Sequence, residues 1–243
     1  DDRTVDKTAQ ICKEGGAKVY SFKNPGFSEG KDTVDLVFSL VRTDWVYWAY
    51  VDELLARGLL EKMAEVSHQN RYKIVCMRRH NYDYGGVNLR NGWQMRFFRR
   101  GTIDFMGNFA GKFGKVLVSK DEILYLPRRE YYSIHHFSAY TLEKFELAHG
   151  KYSRLEAEGN ISRGIHFSGF RLIAKPTYFF LNFIIVGGAW RWGWQGFIIA
   201  VNYSFFYFNT IAKMWEIENG VTLDSMEKKY NMMKEKLLHD QNQ

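Results

Sequence analysis

Two adjacent carboxylates, Asp52 and Glu53, are the side chains whose type and position most directly suggest chemistry. They follow Asp44 and the apolar, aromatic run Trp45–Tyr50. A short run that is apolar on both faces predicts a buried, parallel strand with the carboxylates at its carboxyl end. Ligands bind at that end in open α/β sheets, and paired carboxylates there suit a divalent cation that bridges to phosphate oxygens. The alternative is a strand that ends in a solvated turn.

Residues 78–104 interleave basic and aromatic side chains. This mixture suits nucleic acid, or a pocket where arginines bind a diphosphate and aromatic faces cover a sugar. No nucleic-acid-binding motif accompanies the stretch, so no nucleic-acid partner is expected. The nearby pair His135–His136 is interpreted as packing or hydrogen bonding, because no carboxylate or cysteine lies at metal-ligand spacing. The basic and aromatic members are Arg78, Arg79, His80, Arg90, Arg96, Arg99, Arg100, Tyr82, Tyr84, Trp93, Phe97 and Phe98.

The composition bounds the kind of protein. A chain of 243 residues with 46% hydrophobic side chains can bury a sizeable core in one large domain, or in one domain with an appendage. Its net charge of +7 suits solubility, an anionic membrane surface or a phosphorylated substrate. The two cysteines, Cys12 and Cys76, follow no metal or disulfide pattern and are expected to be free thiols in a reducing cytosol.

Helical and strand patterns alternate along the first 160 residues. Helices are predicted over 8–16, 29–42, 54–66 and 141–158. Strands are predicted over 17–22, 45–50 and 72–77, in short stretches of 103–126, and around His135–His136. This alternation favours a parallel or mixed sheet with helices on its faces.

The segment from Lys175 to Lys213 contains a single charged residue between its ends, Arg191. Its two apolar runs, 178–189 and 196–212, are short for a bilayer span of about 20 residues. A polar stripe (Gln195, Asn202, Asn209, Lys213) opposes an apolar one (Ile198, Val201, Phe205, Phe208), which favours a helix lying in the interface. A docking hairpin within the fold or between subunits is the alternative. The residues predicted to contact the membrane are Trp190, Arg191, Trp192, Trp194, Phe205 and Phe208, with Arg171, Lys175 and Lys213 at headgroup level.

Several segments match, in order, the motifs of one family. Asp1–Thr8 occupies the place of an Asp-Ser-Gly-Ser-Thr-Asp-Gly-Thr-like turn, and Pro25–Asp32 resembles Gly-Phe-x-x-x-Lys-Asn. Gln94–Gly101 resembles Gln-x-Arg-Leu-Phe-Arg-Arg-Gly, and Asp44–Glu53 resembles a metal-site strand. Further matches are His136, Tyr140, Tyr152 and the segment Gly193–Glu216. On these residues the chain resembles bacterial family-2 glycosyltransferases of the GT-A fold, in the branch similar to lipopolysaccharide-core β-glucosyltransferases.

The chain also departs from the family's pattern. The family's metal motif, Asp-Ala-Asp, is Tyr50-Val51-Asp52 here, so the first carboxylate is lost. Gly111-Lys112 stands where the family has His-Glu, which removes the expected base. The family's first strand and helix have no counterpart before Asp1, so either the natural N-terminus is missing or the nucleotide pocket is built differently. Two functions follow, an active glycosyltransferase or an impaired, membrane-bound scaffold or binding module that keeps its fold.

The resemblance implies a mixed, mainly parallel GT-A-like sheet flanked by helices in residues 1–165, and a C-terminal amphipathic, membrane-associated segment in residues 166–243. It implies an inverting transfer from a nucleotide-diphosphate sugar, a UDP-sugar first, to a cell-surface glycan or lipid-linked acceptor. Asp52 would hold Mg²⁺ or Mn²⁺ with Glu53 as a second ligand, and Asp104 is the candidate base. The expected location is the cytoplasmic face of the inner membrane, peripheral or monotopic, with oligomerisation left open. The residues implied to bind the nucleotide sugar are Asp1, Lys31, Asp52, Gln94, Arg96, Arg99 and Arg100.

Overall fold

Helices and strands are mixed before residue 137 of the computed structural model, and helices dominate after it. The structure describes residues 4–23, 31–86, 89, 92–105, 114–137 and 140–241. The chain divides into two compact units. The first comprises Asp1–Val51, Leu55–Arg78 and Trp93–Ser133, and the second comprises Asp52–Leu54, Arg79–Gly92 and Ile134–Gln243. The boundary expected after residue 165 falls inside the second unit.

In its described residues, the first unit combines a small sheet with three α-helices. Its elements are α1 (Thr8–Glu14), α2 (Lys31–Leu40), β1 (Trp45–Tyr47), α3 (Arg57–Ser67), β4 (Trp93–Arg99), β5 (Ile103–Asp104), β6 (Lys115–Val116) and β7 (Ile123–Tyr125). Three strands have residues in both units: β2 (Glu53–Leu55), β3 (Ile74–Asn81) and β8 (Ser133–His136). The predicted helices at 8–16, 29–42 and 54–66 are confirmed with shifted ends.

The sheet of the first unit is mixed, with the order β1-β4-β3-β7. Strand β4 runs antiparallel to both β1 and β3, in a register that places Phe98 opposite Val46 and Ile74. Strand β7 runs parallel to β3. The prediction that the strand before Asp52 is parallel is therefore wrong. Its apolar run indicates burial on both faces, and burial alone does not fix the direction of the neighbouring strand.

A hydrophobic core in the first unit lies between α2 and this sheet. Val34 of α2 is buried in one cluster with Trp48, Ile74 and Phe98. The Phe38 ring lies 6.4 Å from the ring centres of both Trp48 and Phe98. The apolar side chains of this helix, which recur at helical spacing, therefore face the sheet.

Residues 17–23 differ from the sequence-based prediction, because no regular strand forms there in the described part of the chain. Val19 and Tyr20 are exposed. The β-branched and aromatic content of a short segment raises its strand propensity, but a strand also requires a neighbour for its backbone hydrogen bonds. Strand propensity alone therefore predicted a strand that this segment does not form.

The second unit pairs the end of β3 with β8 and β8 with β2, and its described residues add four α-helices. Tyr82 N donates to the carbonyl oxygen of His136 over 2.8 Å, and Phe137 N donates to that of Asp52 over 2.9 Å. These two bonds bring together the ends of three strands. The helices of this unit are α4 (Leu142–Ser162), α5 (Gly169–Leu181), α6 (Gly193–Glu218) and α7 (Leu223–Gln241).

Helix α6 packs against α4 and α5 through small and medium side chains. Its buried face includes Gly196, Ile199, Ala200 and Met214. An added Cβ at Gly196 would lie 1.9 Å from the carbonyl oxygen of Ala189, so only glycine permits this close approach. The opposite face of α6 is exposed.

Candidate functional site

The carboxylate of Asp52 meets an imidazole in the second unit. Oδ2 of Asp52 lies 3.3 Å from Nε2 of His136. Both residues stand at strand ends, Asp52 just before β2 and His136 at the end of β8. The side chain of Asp52 is 40% exposed, whereas that of His136 is only 11% exposed. The pair therefore presents a carboxylate to solvent and supports it with a buried ring.

A neighbouring amide orients the His136 ring. Nδ1 of His136 lies 2.9 Å from Oδ1 of Asn81, at the end of β3. An amide oxygen only accepts, so Nδ1 carries a proton and donates it. Nε2 then faces Asp52 either with a second proton, as in an ion pair, or with a free lone pair. In the second state the imidazole and the carboxylate can share one cation, and a bonded Nδ1–H is the usual support of a metal-binding histidine.

Glu53, the other member of the predicted pair, is directed elsewhere. Its side chain has no exposed surface, and Oε1 lies 3.5 Å from NH1 of Arg79. A charge buried to this extent is stabilised only when it is paired. The ion pair with Arg79 accounts for the position of Glu53, so its proposed role as a second metal ligand would require this pair to open.

Asp83 is a second buried carboxylate in this unit. It is 1% exposed, and its Oδ2 accepts from the Tyr203 hydroxyl of α6 over 3.3 Å. Burial raises the pKa of Asp83 to about 6, opposed by the Tyr203 hydrogen bond and by the charge of Arg79. Asp83 therefore ties β3 to α6 at an energetic cost near neutral pH.

Four of the predicted nucleotide-sugar residues lie on or next to β4 in the first unit. Arg96 is buried, and its guanidinium lies 4.4 Å from the centre of the Tyr50 ring. Arg99 lies over Trp45 at 5.9 Å, and NH1 of Arg100 donates to the carbonyl oxygen of Val41 over 3.3 Å. Gln94 is half-buried on the same strand. Their role in nucleotide-sugar binding stays a prediction.

The structure describes only some of the other residues that were predicted to act at this site. Asp104 is half-buried in β5, opposite Lys115 of β6. Asp1 and the segment with Gly111-Lys112 lie outside the described residues, and only the backbone of Lys31, at the start of α2, is described. No described contact yet supports Asp104 as a base, so this role stays a prediction.

The predicted membrane residues are mostly at the surface of the second unit. Trp194 is 80% exposed, and Trp190, Trp192 and Phe205 are exposed as well. Phe208 stacks on Phe205 with ring centres 5.7 Å apart, and the Arg191 guanidinium lies over the Trp190 ring. In the described part of the chain, one helical stretch, Gly169–Val186, has the length and mean hydropathy (1.2) of a bilayer span, and none of it is buried.

Lys213 differs from its predicted position at headgroup level. Its Nζ donates to the carbonyl oxygen of Gly150 over 2.6 Å and to Oγ of Ser153 over 2.7 Å, both in α4. Burial lowers the pKa of Lys213. At Lys213 the polar stripe of α6 therefore binds α4 instead of facing water.

Comparison with known proteins identifies the family of this chain. The sequence model for "Glycosyl transferase family 2" matches residues 1–146, more than half of the chain. The chain therefore belongs to glycosyltransferase family 2, a family of enzymes, which confirms the resemblance found in the sequence.

Two relatives illustrate the similarity. Over 177 residues the chain is 26% identical to "Lipopolysaccharide core biosynthesis glycosyltransferase LpsC" of Rhizobium meliloti (strain 1021), covering 71% of this chain and 64% of that protein. It is also 24% identical over 242 residues to "Uncharacterized glycosyltransferase RP128" of Rickettsia prowazekii (strain Madrid E), covering 93% of this chain and 80% of that protein. The chain thus spans less than two thirds of LpsC.

Sequence reasoning missed the partners of the two carboxylates. It interpreted His136 as a packing or hydrogen-bonding residue because no ligand lies at metal-binding spacing in the sequence, and it assigned no role to Asn81 or Asp83. The match of His136 to the family's C-terminal half was one available signal. The alternating positions of Arg79, Asn81 and Asp83, which place all three on one face of an extended chain, were a second and weaker signal.

Proposed function

We propose that this chain transfers a sugar, with inversion, from a nucleotide-diphosphate donor to a glycan or lipid-linked acceptor. The match of residues 1–146 to glycosyltransferase family 2 carries this proposal. The Asp52–His136 pair supports it, because a carboxylate that opens to solvent beside an oriented imidazole suits a cation bound to a diphosphate. LpsC is named for lipopolysaccharide core biosynthesis, which favours a cell-surface glycan as the acceptor.

The donor groups present fit a divalent cation that is shared with a substrate. Among the described residues no group of three or more His, Cys, Asp or Glu side chains is placed to enclose a metal. Asp52 and His136 supply two donors, and an ion bound by so few protein ligands takes the others from phosphate oxygens and water. An imidazole ligand favours Mn²⁺ over Mg²⁺, which prefers oxygen.

Each side chain then has a defined part in the reaction. Asp52 and the Nε2 lone pair of His136 would hold the cation, and Asn81 keeps His136 in the required tautomer. A bound cation would offset the negative charge that develops on the nucleotide diphosphate as it leaves. Inversion also requires a base near the acceptor hydroxyl, and Asp104 remains our candidate for that proton transfer.

We also propose that the second unit attaches the protein to the cytoplasmic face of the inner membrane as a monotopic protein. The exposed tryptophans at 190–194 and the exposed apolar side chains of α5 and α6 support this location. A surface of this kind is unusual on a soluble monomer and marks a site of interaction. A spanning hairpin and an interface between two copies are the competing arrangements.

The second candidate function is a glycosyltransferase-like scaffold without activity. The contact between Tyr50 and Arg96 favours it, because the position of the family's first metal carboxylate is occupied by a ring that packs on a guanidinium. One carboxylate of the metal motif is thus replaced by a structural contact.

Transfer assays separate the two candidates. We expect release of UDP or GDP from one member of a panel of UDP- and GDP-sugars when core oligosaccharide or lipid-linked acceptors are supplied. The Asp52→Asn variant should lose this release and keep its thermal stability. Inactivity of the wild type across the panel, with intact membrane binding, would support the scaffold instead.

A further inference from the structure

A cavity of about 490 Å³ lies among α4, α5 and α6 in the second unit. Its lining residues all follow Asp52 and His136 in the sequence. One part of its lining is basic and comes from His166, Arg171 and Lys175. The other part is largely apolar and includes Tyr178 of α5 and Ile211 and Met214 of α6. Its volume is in the range of small-molecule sites, and its lining suits a ligand that is anionic at one end and apolar at the other.

Helix α5 joins this cavity to the exposed apolar surface. Arg171, Lys175 and Tyr178 follow one another at helical spacing and line the cavity. Phe170 and Ile173, on another side of the same helix, are 80% and 65% exposed. A molecule whose apolar part lies against that outer surface can therefore place a charged end in the cavity.

Among the described residues around the cavity, most cations have an acidic partner. Lys175 lies 3.6 Å from Glu156 and also covers the Tyr207 ring at 5.1 Å. Glu218 accepts from His166 Nδ1 over 2.9 Å and from the backbone N–H of Phe167. Within the part of the chain that the structure describes, no ion pair involves Arg171, which is exposed at the cavity.

We propose that this cavity binds the phosphate of an anionic membrane lipid, with Arg171 and Lys175 as its donors. Arginine pairs with phosphate through two parallel hydrogen bonds, and Lys175 can exchange Glu156 for the more highly charged group. The Tyr178, Ile211 and Met214 side adjoins the glycerol and the first part of the acyl chains. The inference rests on the proposed membrane association and adds a specific lipid site to it.

Vesicle flotation tests this site with phosphatidylcholine vesicles, and with vesicles that also contain phosphatidylglycerol. The pocket variant is Arg171→Gln with Lys175→Gln, and the control is Lys234→Gln with Lys236→Gln, which removes the same charge from α7. We expect the wild type and the control to bind the anionic vesicles alike. Removing the two cavity cations should lower the affinity for anionic vesicles about tenfold. Binding to phosphatidylcholine vesicles should stay unchanged, and unfolding temperatures should match.

Three other outcomes would overturn the lipid site. If the control loses as much affinity as the pocket variant, only the net charge acts. If the pocket variant binds like the wild type, the cavity holds no lipid phosphate. If the pocket variant loses affinity for inorganic phosphate in titration calorimetry but floats with anionic vesicles like the wild type, the ligand is a soluble phosphate. A wild type that floats with neither kind of vesicle would instead remove the membrane association itself.

Discussion

The guanidinium of Arg96 lies 4.4 Å from the centre of the Tyr50 ring, and both residues belong to the first unit. NH1 of Arg96 also lies 3.4 Å from the carbonyl oxygen of Trp48. Tyr50 stands where the family's motif has its first metal carboxylate. An aromatic face attracts a guanidinium without adding a charge, so this contact keeps Arg96 in place after the carboxylate is lost.

We predict that Tyr50→Ala lowers the free energy of unfolding by about 1–2 kcal/mol, because the buried guanidinium loses its ring. Tyr50→Phe keeps the ring and is the matched control, with stability near that of the wild type. Urea unfolding of the three proteins measures the difference. Equal losses in both variants would show that the hydroxyl, rather than the ring, stabilises this contact.

A second prediction concerns the orientation of His136. Asn81→Leu removes the acceptor of the Nδ1 proton while keeping a side chain of similar size. We expect the affinity for Mn²⁺ in the presence of a UDP-sugar to fall about tenfold, because the imidazole loses its fixed tautomer. Asn81→Asp retains an acceptor and should retain most of the affinity. Wild-type affinity in the leucine variant would remove the orienting role of Asn81.

The third prediction uses the buried carboxyl of Asp83, whose pKa is raised to about 6 from an ordinary 3.8. The folded state therefore holds the proton more tightly than the unfolded state. Ionisation of this carboxyl therefore lowers the free energy of unfolding. The loss is absent below the pKa of the unfolded state, grows as the pH rises from there to about 6, and is complete above about 6. Asp83→Asn should thus be up to about 3 kcal/mol more stable than the wild type at neutral pH.

Urea unfolding at several pH values measures this difference between wild type and Asp83→Asn. It should shrink steadily on acidification and vanish near the ordinary pKa of an aspartate. Tyr203→Phe is a useful companion, because it removes the hydrogen bond that opposes the raised pKa and so should extend the pH-dependent range upward. A difference that does not change with pH would contradict an ionised, buried Asp83.

The fourth prediction concerns the apolar surface of α5. Replacing Phe170 and Ile173 by serine removes two exposed apolar side chains without disturbing the buried core. Each side chain buried in the interface contributes about 1.5–3 kcal/mol, so vesicle binding should fall at least tenfold. Leu223→Ser, at an exposed site on α7, is the control. Unchanged flotation of the double variant would place the membrane contact elsewhere.

Local patterns in the sequence predicted much of this structure. Helices α1 to α4 and strand β3 were predicted from helical and strand patterns, and the structure confirms them with shifted ends. The family followed from ordered motifs. These features depend on residues that lie close together in the chain, which is why they can be recognised from sequence alone.

The partners of the site residues could not be predicted in the same way. His136 reaches Asp52, and Tyr50 receives Arg96, only through the pairing of strands that are distant in sequence. The direction of β1 relative to β4 is likewise set by the chain reversal between them and not by the apolar run of β1. Glu53 resembled a metal ligand by its position, whereas its burial against Arg79 is a tertiary property.

Titration calorimetry of UDP-sugars tests the central claim, that Asp52 and His136 form a metal-dependent donor site. Wild-type protein should bind one UDP-sugar more tightly with Mn²⁺ than with EDTA. Asp52→Asn and His136→Phe should each abolish that difference while unfolding cooperatively. The double variant Glu53→Gln with Arg79→Met removes the Glu53–Arg79 ion pair. It should still bind the UDP-sugar more tightly with Mn²⁺ than with EDTA. Equal binding with Mn²⁺ and EDTA, in the wild type and in both site variants, would contradict the assignment of the site.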